Sequence, residues 1–279
     1  MVEIRKPIAI GKFYPIKKSA IQSQVKKFLK EQEKKDIKAG LVPHAGYTFS
    51  GKLTGHLIGQ ILDKKTFIIL GVNHSGLGKK ISFSSLDFET PLGVVKNNIE
   101  LGKELLKKLE IIGEAGIAEE PHDVEHSIEV LLPFLQLNQE QDFNIIPILL
   151  KDLSYEDCRK ISHVISQFLN EDIFLLVSSD FTHFGEIYGF VPFEQDIKRK
   201  LYDLDCRVID EILKLNSEKV YTLASETTIC GVYGITILTE TAKIMNWKGK
   251  KVGYYTSGDI TGVYDRNAVV GYGSVAFLA

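Results

Sequence analysis

The sequence predicts an α/β protein: one domain over residues 1–279, with a central mixed, mostly parallel sheet flanked by helices. Three observations carry that expectation. The apolar runs "AGLV" (39–42), "TFIILGV" (66–72), "FNIIPILL" (143–150) and "IFLLV" (173–177) have strand length and no polar face, the pattern of strands covered on both sides. Segments of helical spacing stand between them, the alternation that builds parallel sheets. At the carboxyl end "KVGYYTS" (251–257) and "VVGYGSVAFL" (269–278) follow each other without a helix between, which predicts antiparallel members.

Taken in order, "SAIQSQVKKFLKEQEKK" (19–35) places Ile21, Val25, Phe28 and Leu29 at helical spacing on a charged background, so it reads as a surface helix feeding the first buried strand. Further helices are predicted over 51–63, 124–137 and 155–169, each ahead of an apolar strand. Ile128, Leu131, Leu132 and Leu135 form the core stripe of the second of these, leaving His126 at its start to face a crevice. Thr227 or Thr228 caps a last helix running to about 243. No repeat, low-complexity tract or Pro/Gly/Ser-rich linker divides the chain.

Composition excludes several classes. The chain is 44% apolar and 25% charged, as expected of a soluble globular protein with a sizeable core. Its 34 basic and 36 acidic residues leave a formal charge of −2, no electrostatic footprint for nucleic acid or an anionic membrane. Apolar runs fall far short of the ~20 residues that span a bilayer. "MVEIRKPIAIGKFYP" lacks the apolar centre of a secretion signal, so the expected location is the cytoplasm. Cys158, Cys206 and Cys230 are too scattered for a disulfide framework or a metal knuckle.

The chemistry-bearing residues stand just after the strands. His44 follows "AGLVP", His74 follows "TFIILGVN", and Asp180 follows "IFLLVSS" with His183 three residues on. Loops at strand carboxyl ends collect ligands in open α/β sheets, and repetition at equivalent positions argues for one shared crevice. Cys230, in the first turn of the last helix, would feel the positive end of the helix dipole, which favours a thiolate. Cys158 and Cys206 read as packing residues, and His56 and His163 as packing or surface. One motif points elsewhere: "HDVEH" (122–126) has the H-x-x-E-H form of an inverted zinc-protease helix, with Glu194 the nearest third ligand by spacing. No ligand motif surrounds Glu194, so His122 reads as a solvated or locally hydrogen-bonded residue.

The blocks "LVPHAGYTFSG", "LGVNHSG", "EHSIEVLLPFLQ", "IIPILL", "VSSDFTHFG", "TICG" and "TSGDITGVYDRNAVVGYGSVAF", in this order, resemble those of the Memo family from about "GKFYP" to the final strand. The resemblance implies a fold like that of class III extradiol ring-cleaving dioxygenases. It also implies that His44, His74 and Cys230 are metal ligands, with His126, Asp180 and His183 as catalytic groups around the open side. Two histidines and a carboxylate hold iron(II) in such dioxygenases; a thiolate in the carboxylate's place admits iron(II), favours copper(I) or zinc, and argues against plain catechol cleavage. The expectation is therefore a mononuclear redox metal, iron(II) or copper before zinc, with oxygen-dependent oxidase or dioxygenase-like chemistry. The alternative is a noncatalytic metal-binding or protein/peptide-interaction protein that keeps an enzyme-like crevice. Family associations imply AMMECR-type and radical SAM proteins of the AmmeMemoRadiSam system as partners, or a small-molecule or peptide ligand in the crevice.

Overall fold

The computed structural model describes residues 3–30 and 32–279; Glu31, within the first predicted helix segment, lies outside them. The chain runs β1 (Ile4–Arg5), α1 (Lys18–Leu29), β2 (Ile37–Val42), α2 (Tyr47–Ile58), β3 (Thr66–Val72), β4 (Ile81–Phe83), β5 (Asp87–Thr90), β6 (Gly93–Asn97), α3 (Ile99–Leu109) and β7 (Ala115–Ile117). It continues through α4 (Glu120–Asp123), α5 (Leu132–Asn138), β8 (Asn144–Leu150), α6 (Tyr155–Ser166), β9 (Ile173–Ser178) and β10 (His183–Phe184). The last elements are α7 (Ile197–Leu213), α8 (Ser217–Ser225), α9 (Val232–Ile244), β11 (Lys248–Thr256), α10 (Ser257–Thr261) and β12 (Val269–Leu278).

The strands form one mixed sheet whose path runs β1-β5-β6-β8-β3-β9-β2-β12-β10. Its centre, β6-β8-β3-β9-β2, is parallel throughout. Antiparallel pairing enters at the margins, where β12 runs against β2, β10 and β11. Strands β8, β3, β9 and β2 are apolar along most of their length because both sheet faces are covered. Ile68, Leu70, Leu175 and Val177 enter one core cluster with Leu105, Ile161 and Ile237 of α3, α6 and α9, while Phe67, Ile69, Phe174 and Leu176 enter the other with Val25, Leu57 and Leu135 of α1, α2 and α5. Alternation along each strand sends neighbouring side chains to opposite layers.

The central strands stand where the apolar runs predict them; several helices do not. Helix α2 occupies Tyr47–Ile58 rather than 51–63, its Tyr47 N–H held by the Phe13 carbonyl at 2.8 Å. The helix expected over 124–137 is broken. Only Leu132–Asn138 is α-helical, after a 3₁₀ turn at Glu129–Leu131. The Glu125 carboxylate accepts the N–H groups of His126 and Ser127, both at 2.8 Å, a local side-chain bond that competes with helix formation. His126 therefore projects from a loop rather than from a helix start. Helix α9 likewise begins at Val232, so Cys230 precedes it instead of lying in its first turn. Thr228 is diverted to hydrogen-bond the His183 main chain, and the backbone reaches its helix only after Gly231. Between β11 and β12, where no helix is predicted, the five-residue α10 forms on a capping box of Thr256 and Asp259.

The sheet order brings the strand-end loops together. Strands β3, β9 and β2 are adjacent and parallel, so the loops beyond Val72, Ser178 and Val42 leave the same edge side by side. Each carries a metal-capable or proton-transferring side chain two residues past its strand. Among the described residues, no helix is long and apolar enough to cross a membrane.

Candidate metal centre

His44 is buried. Its Nδ1 lies 2.8 Å from Ser178 Oγ, and that hydroxyl donates its own proton to the Ser127 carbonyl at 2.6 Å. The serine oxygen must therefore accept from Nδ1–H, which turns Nε2 toward the Cys230 sulfur. His74 is oriented in the same sense. Its Nδ1 lies 2.9 Å and 3.0 Å from the two oxygens of Glu125, an acceptor-only carboxylate, and its main-chain N–H donates to the same group at 2.9 Å. His183 follows the pattern, with Nδ1 3.0 Å from the Thr228 carbonyl.

His126 completes a group of three. One ring nitrogen from each of His44, His74 and His126 lies within 4.8 Å of the others. The His74 and His126 rings stack with centroids 5.3 Å apart, and Phe13 covers the other side of His126 at 4.1 Å. Cys230 joins from the loop before α9, its Sγ 3.4 Å from His44 Nε2. That approach depends on Gly231, whose N–H donates to Ser179 Oγ at 2.9 Å; a Cβ there would fall 2.4 Å from Ser179 Cβ.

Electrostatics suit a thiolate. Burial opposes ionisation of Cys230, but the His44 charge and hydrogen bonds to His44 and His74 outweigh it and bring the thiol down to about 6. The cause is the histidine pair rather than a helix end. For His74 burial likewise opposes charge, yet hydrogen bonds to Cys230 and Glu125 raise it to about 10. His126 has the opposite fate: burial, then the neighbouring His44, lowers it to about 3, so its ring is neutral at pH 7. Burial also pushes Asp180 upward, while its Oδ1 accepts the His44 and Ala45 N–H groups at 2.9 Å and 3.3 Å.

Donor chemistry and spacing fit a bound transition metal. Nitrogen and sulfur donors bind one ion at about 2.0–2.3 Å, so two of them stand at most about 4.6 Å apart. The three imidazoles of His44, His74 and His126 come close to that spacing, while the Cys230 sulfur lies against His44 outside that group; imidazole and thiolate donors suit iron, copper or zinc rather than magnesium or calcium.

The protease motif does not assemble. The chain leaves its helix after Asp123, so His122 and His126 share no helical face. His122 is buried, its Nε2 donating to the Ser82 carbonyl at 3.0 Å. Glu194 is an exposed partner of Arg266. Sequence reasoning missed Ser178 and Tyr188, the latter edge-on to His183 at 5.1 Å. It also absorbed Glu125 into a motif without a role. A carboxylate directly before a crevice histidine was the available signal for Glu125; Ser178, inside an apolar strand, offered none.

The profile of the family described as Memo-like protein matches residues 5–276. A MEMO1 family protein of Aquifex aeolicus is 36% identical, covering 99% of this chain and all of that protein. Those of Methanosarcina mazei and Pyrococcus abyssi are 31% and 34% identical, each alignment covering 98% of this chain and 99% and 98% of theirs. A crystal structure of an uncharacterized Escherichia coli K12 protein shares the fold at a TM-score of 0.53 and 9% identity, over 85% of this chain and 99% of that one.

Proposed function

This chain belongs to the Memo-like protein family, and from that premise we propose that it is a metalloprotein holding one redox-active ion, iron(II) or copper, through His44, His74 and Cys230. The observation that supports this reading best is the convergence at one sheet edge of a lowered thiol and histidines whose Nδ1 atoms are tethered, so that Nε2 is the nitrogen left to meet an ion. When bound, such an ion supplies oxygen and one-electron chemistry that side chains lack.

The chain's own groups then divide the remaining work. Ser178 and Glu125 orient the two histidines. Neutral His126, packed under Phe13, lines the same site, where burial and His44 oppose a positive charge on its ring. His183 donates through Nδ1 to Thr228 and keeps Nε2 free for a proton, while Asp180 braces the main chain of His44. A proton-transfer group of this kind typically contributes about 10²- to 10⁴-fold.

The test is metal content after anaerobic loading with iron(II) or copper(I), followed by oxygen uptake. The parent is expected to bind one ion per chain, and His44→Ala, His74→Ala and Cys230→Ala to bind far more weakly. His183→Ala is expected to keep the ion and lose about 10²-fold or more of the uptake. Unchanged occupancy in all three ligand variants would defeat the metal site. Uptake no faster than free iron(II), or equal in parent and His183→Ala, would leave a noncatalytic metal protein.

A further inference from the structure

We infer that Glu125 is a positioning residue that sets the proton arrangement of His74, so that His74 meets a metal through Nε2 and through no other atom. The inference rests on the metal reading above and adds a residue to which that reading gives no ligand role.

Four features of the site carry it. First, the carboxylate is buried and fully committed: Oε1 accepts from the main-chain N–H groups of His126 and Ser127, Oε2 from that of His74, and both face His74 Nδ1. Second, every neighbour its oxygens meet is a main-chain N–H or an imidazole nitrogen, the His126 Nδ1 included at 3.3 Å from Oε1. Third, its backbone is pinned. Arg5 donates through one guanidinium nitrogen to the Glu125 carbonyl at 2.6 Å and through another to the His122 carbonyl at 3.0 Å, and its third meets the buried Glu129 carboxylate. Fourth, no other polar group meets His74 Nδ1 among the described residues, so the orientation of that ring depends on this carboxylate. Ligating histidines tethered in this way lose about 10- to 100-fold in metal affinity when the outer partner is removed.

The Glu125→Gln substitution separates the role from simple space filling. The amide carbonyl of that variant could still accept from His126 and Ser127, but its NH₂ would face the two donors of His74. The ring would have to turn away or shift its proton to Nε2, the atom that must be bare to bind a metal.

Zinc(II) serves as a diamagnetic probe. Its affinity is measured by chelator competition in the parent, His74→Ala and Glu125→Gln, with circular dichroism confirming the fold. Histidine ¹⁵N correlation spectra of the zinc-loaded parent report the His74 ring nitrogens. The expected result is a protonated Nδ1 and a zinc-bound Nε2 in the parent, and an affinity about 10- to 100-fold weaker in Glu125→Gln with displaced His74 signals. A folded Glu125→Gln protein with parental affinity and unmoved signals would overturn the role of Glu125 alone. Should that variant fail to fold, the parent spectrum decides, since ligation through Nδ1 or a bare Nδ1 overturns the inference. A parent that binds neither zinc(II) nor iron(II), or binds them equally in His74→Ala, overturns the metal reading itself and this inference with it.

Discussion

At the scale of single residues, burial divides histidines that look alike in sequence. His56 and His163 are exposed on helices, whereas His44 is enclosed by a serine and a thiol. His122 is buried as a neutral ring, with burial first and the Arg5 charge after it lowering its pKa to about 4. The sign of the consequence follows. Between about 4 and 6.5 the unfolded histidine holds a proton that the folded one refuses, so stability rises with pH across that window and is lost on acidification. At about 1.36 kcal/mol per unit the full window is worth about 3 kcal/mol. In metal-free protein, urea midpoints of the parent should fall between pH 6.5 and 4 more steeply than those of His122→Gln, which keeps a donor for Ser82 and cannot titrate. Only the difference is diagnostic: His126, lowered to about 3, acts in the same direction, and Asp205, raised by burial to about 6, acts oppositely. Parallel profiles would show that His122 is not held neutral by its site.

At the scale of elements, α2 and α9 start where contacts from elsewhere in the chain set them, whereas the break before α5 is made locally by Glu125. Helix α2 packs against α1 through glycines. A Cβ on Gly55 would stand 2.5 Å from Phe28 Cβ and 2.8 Å from the Phe28 carbonyl. Alanine gains about 1 kcal/mol of helix propensity over glycine, but overpacking costs about 1–3 kcal/mol, and here the neighbour is backbone that cannot swing aside. Gly55→Ala should therefore destabilise by about 1–2 kcal/mol. Its melting temperature should fall by several degrees on the scale of about 2–4 °C per kcal/mol. A stabilised variant would mean that α1 and α2 separate freely. Strands behave differently because their apolar runs are long enough to fix their own limits: β3 coincides with "TFIILGV" residue for residue.

At the scale of the whole molecule, the amino-terminal segment is part of the site. Arg5 and Glu129 are fully buried and paired, and Glu129 also accepts the N–H groups of Ile8 and Ala9 at 2.9 Å and the Tyr14 hydroxyl at 2.6 Å. This network lays residues 4–14 across the His122–Glu129 turn and brings Phe13 over His126. Removing one member of a buried ion pair strands the other, at a cost of about 3–5 kcal/mol. Arg5→Leu should lie near the lower end, about 3 kcal/mol by urea unfolding, because Glu129 keeps three donors. A loss below about 1 kcal/mol would show the pair to be dispensable.

By itself the sequence determined the α/β class, the four central strands and the strand-end positions of His44, His74 and Asp180. Those features are local: an apolar run needs no knowledge of distant residues to declare itself a covered strand, and the residue after it leaves at the sheet's carboxyl edge. Family blocks added Cys230, which periodicity alone would have left as a small core residue. Only the tertiary structure decided that β9 lies between β3 and β2, drawing their loops together. It also decided that "HDVEH" is not a helix, that His126 joins His44 and His74, and that Glu125 and Ser178 hold them. The physical reason is range. These contacts join residues about 50 to 190 positions apart, and their strength comes from shared burial, which no short stretch of chain contains.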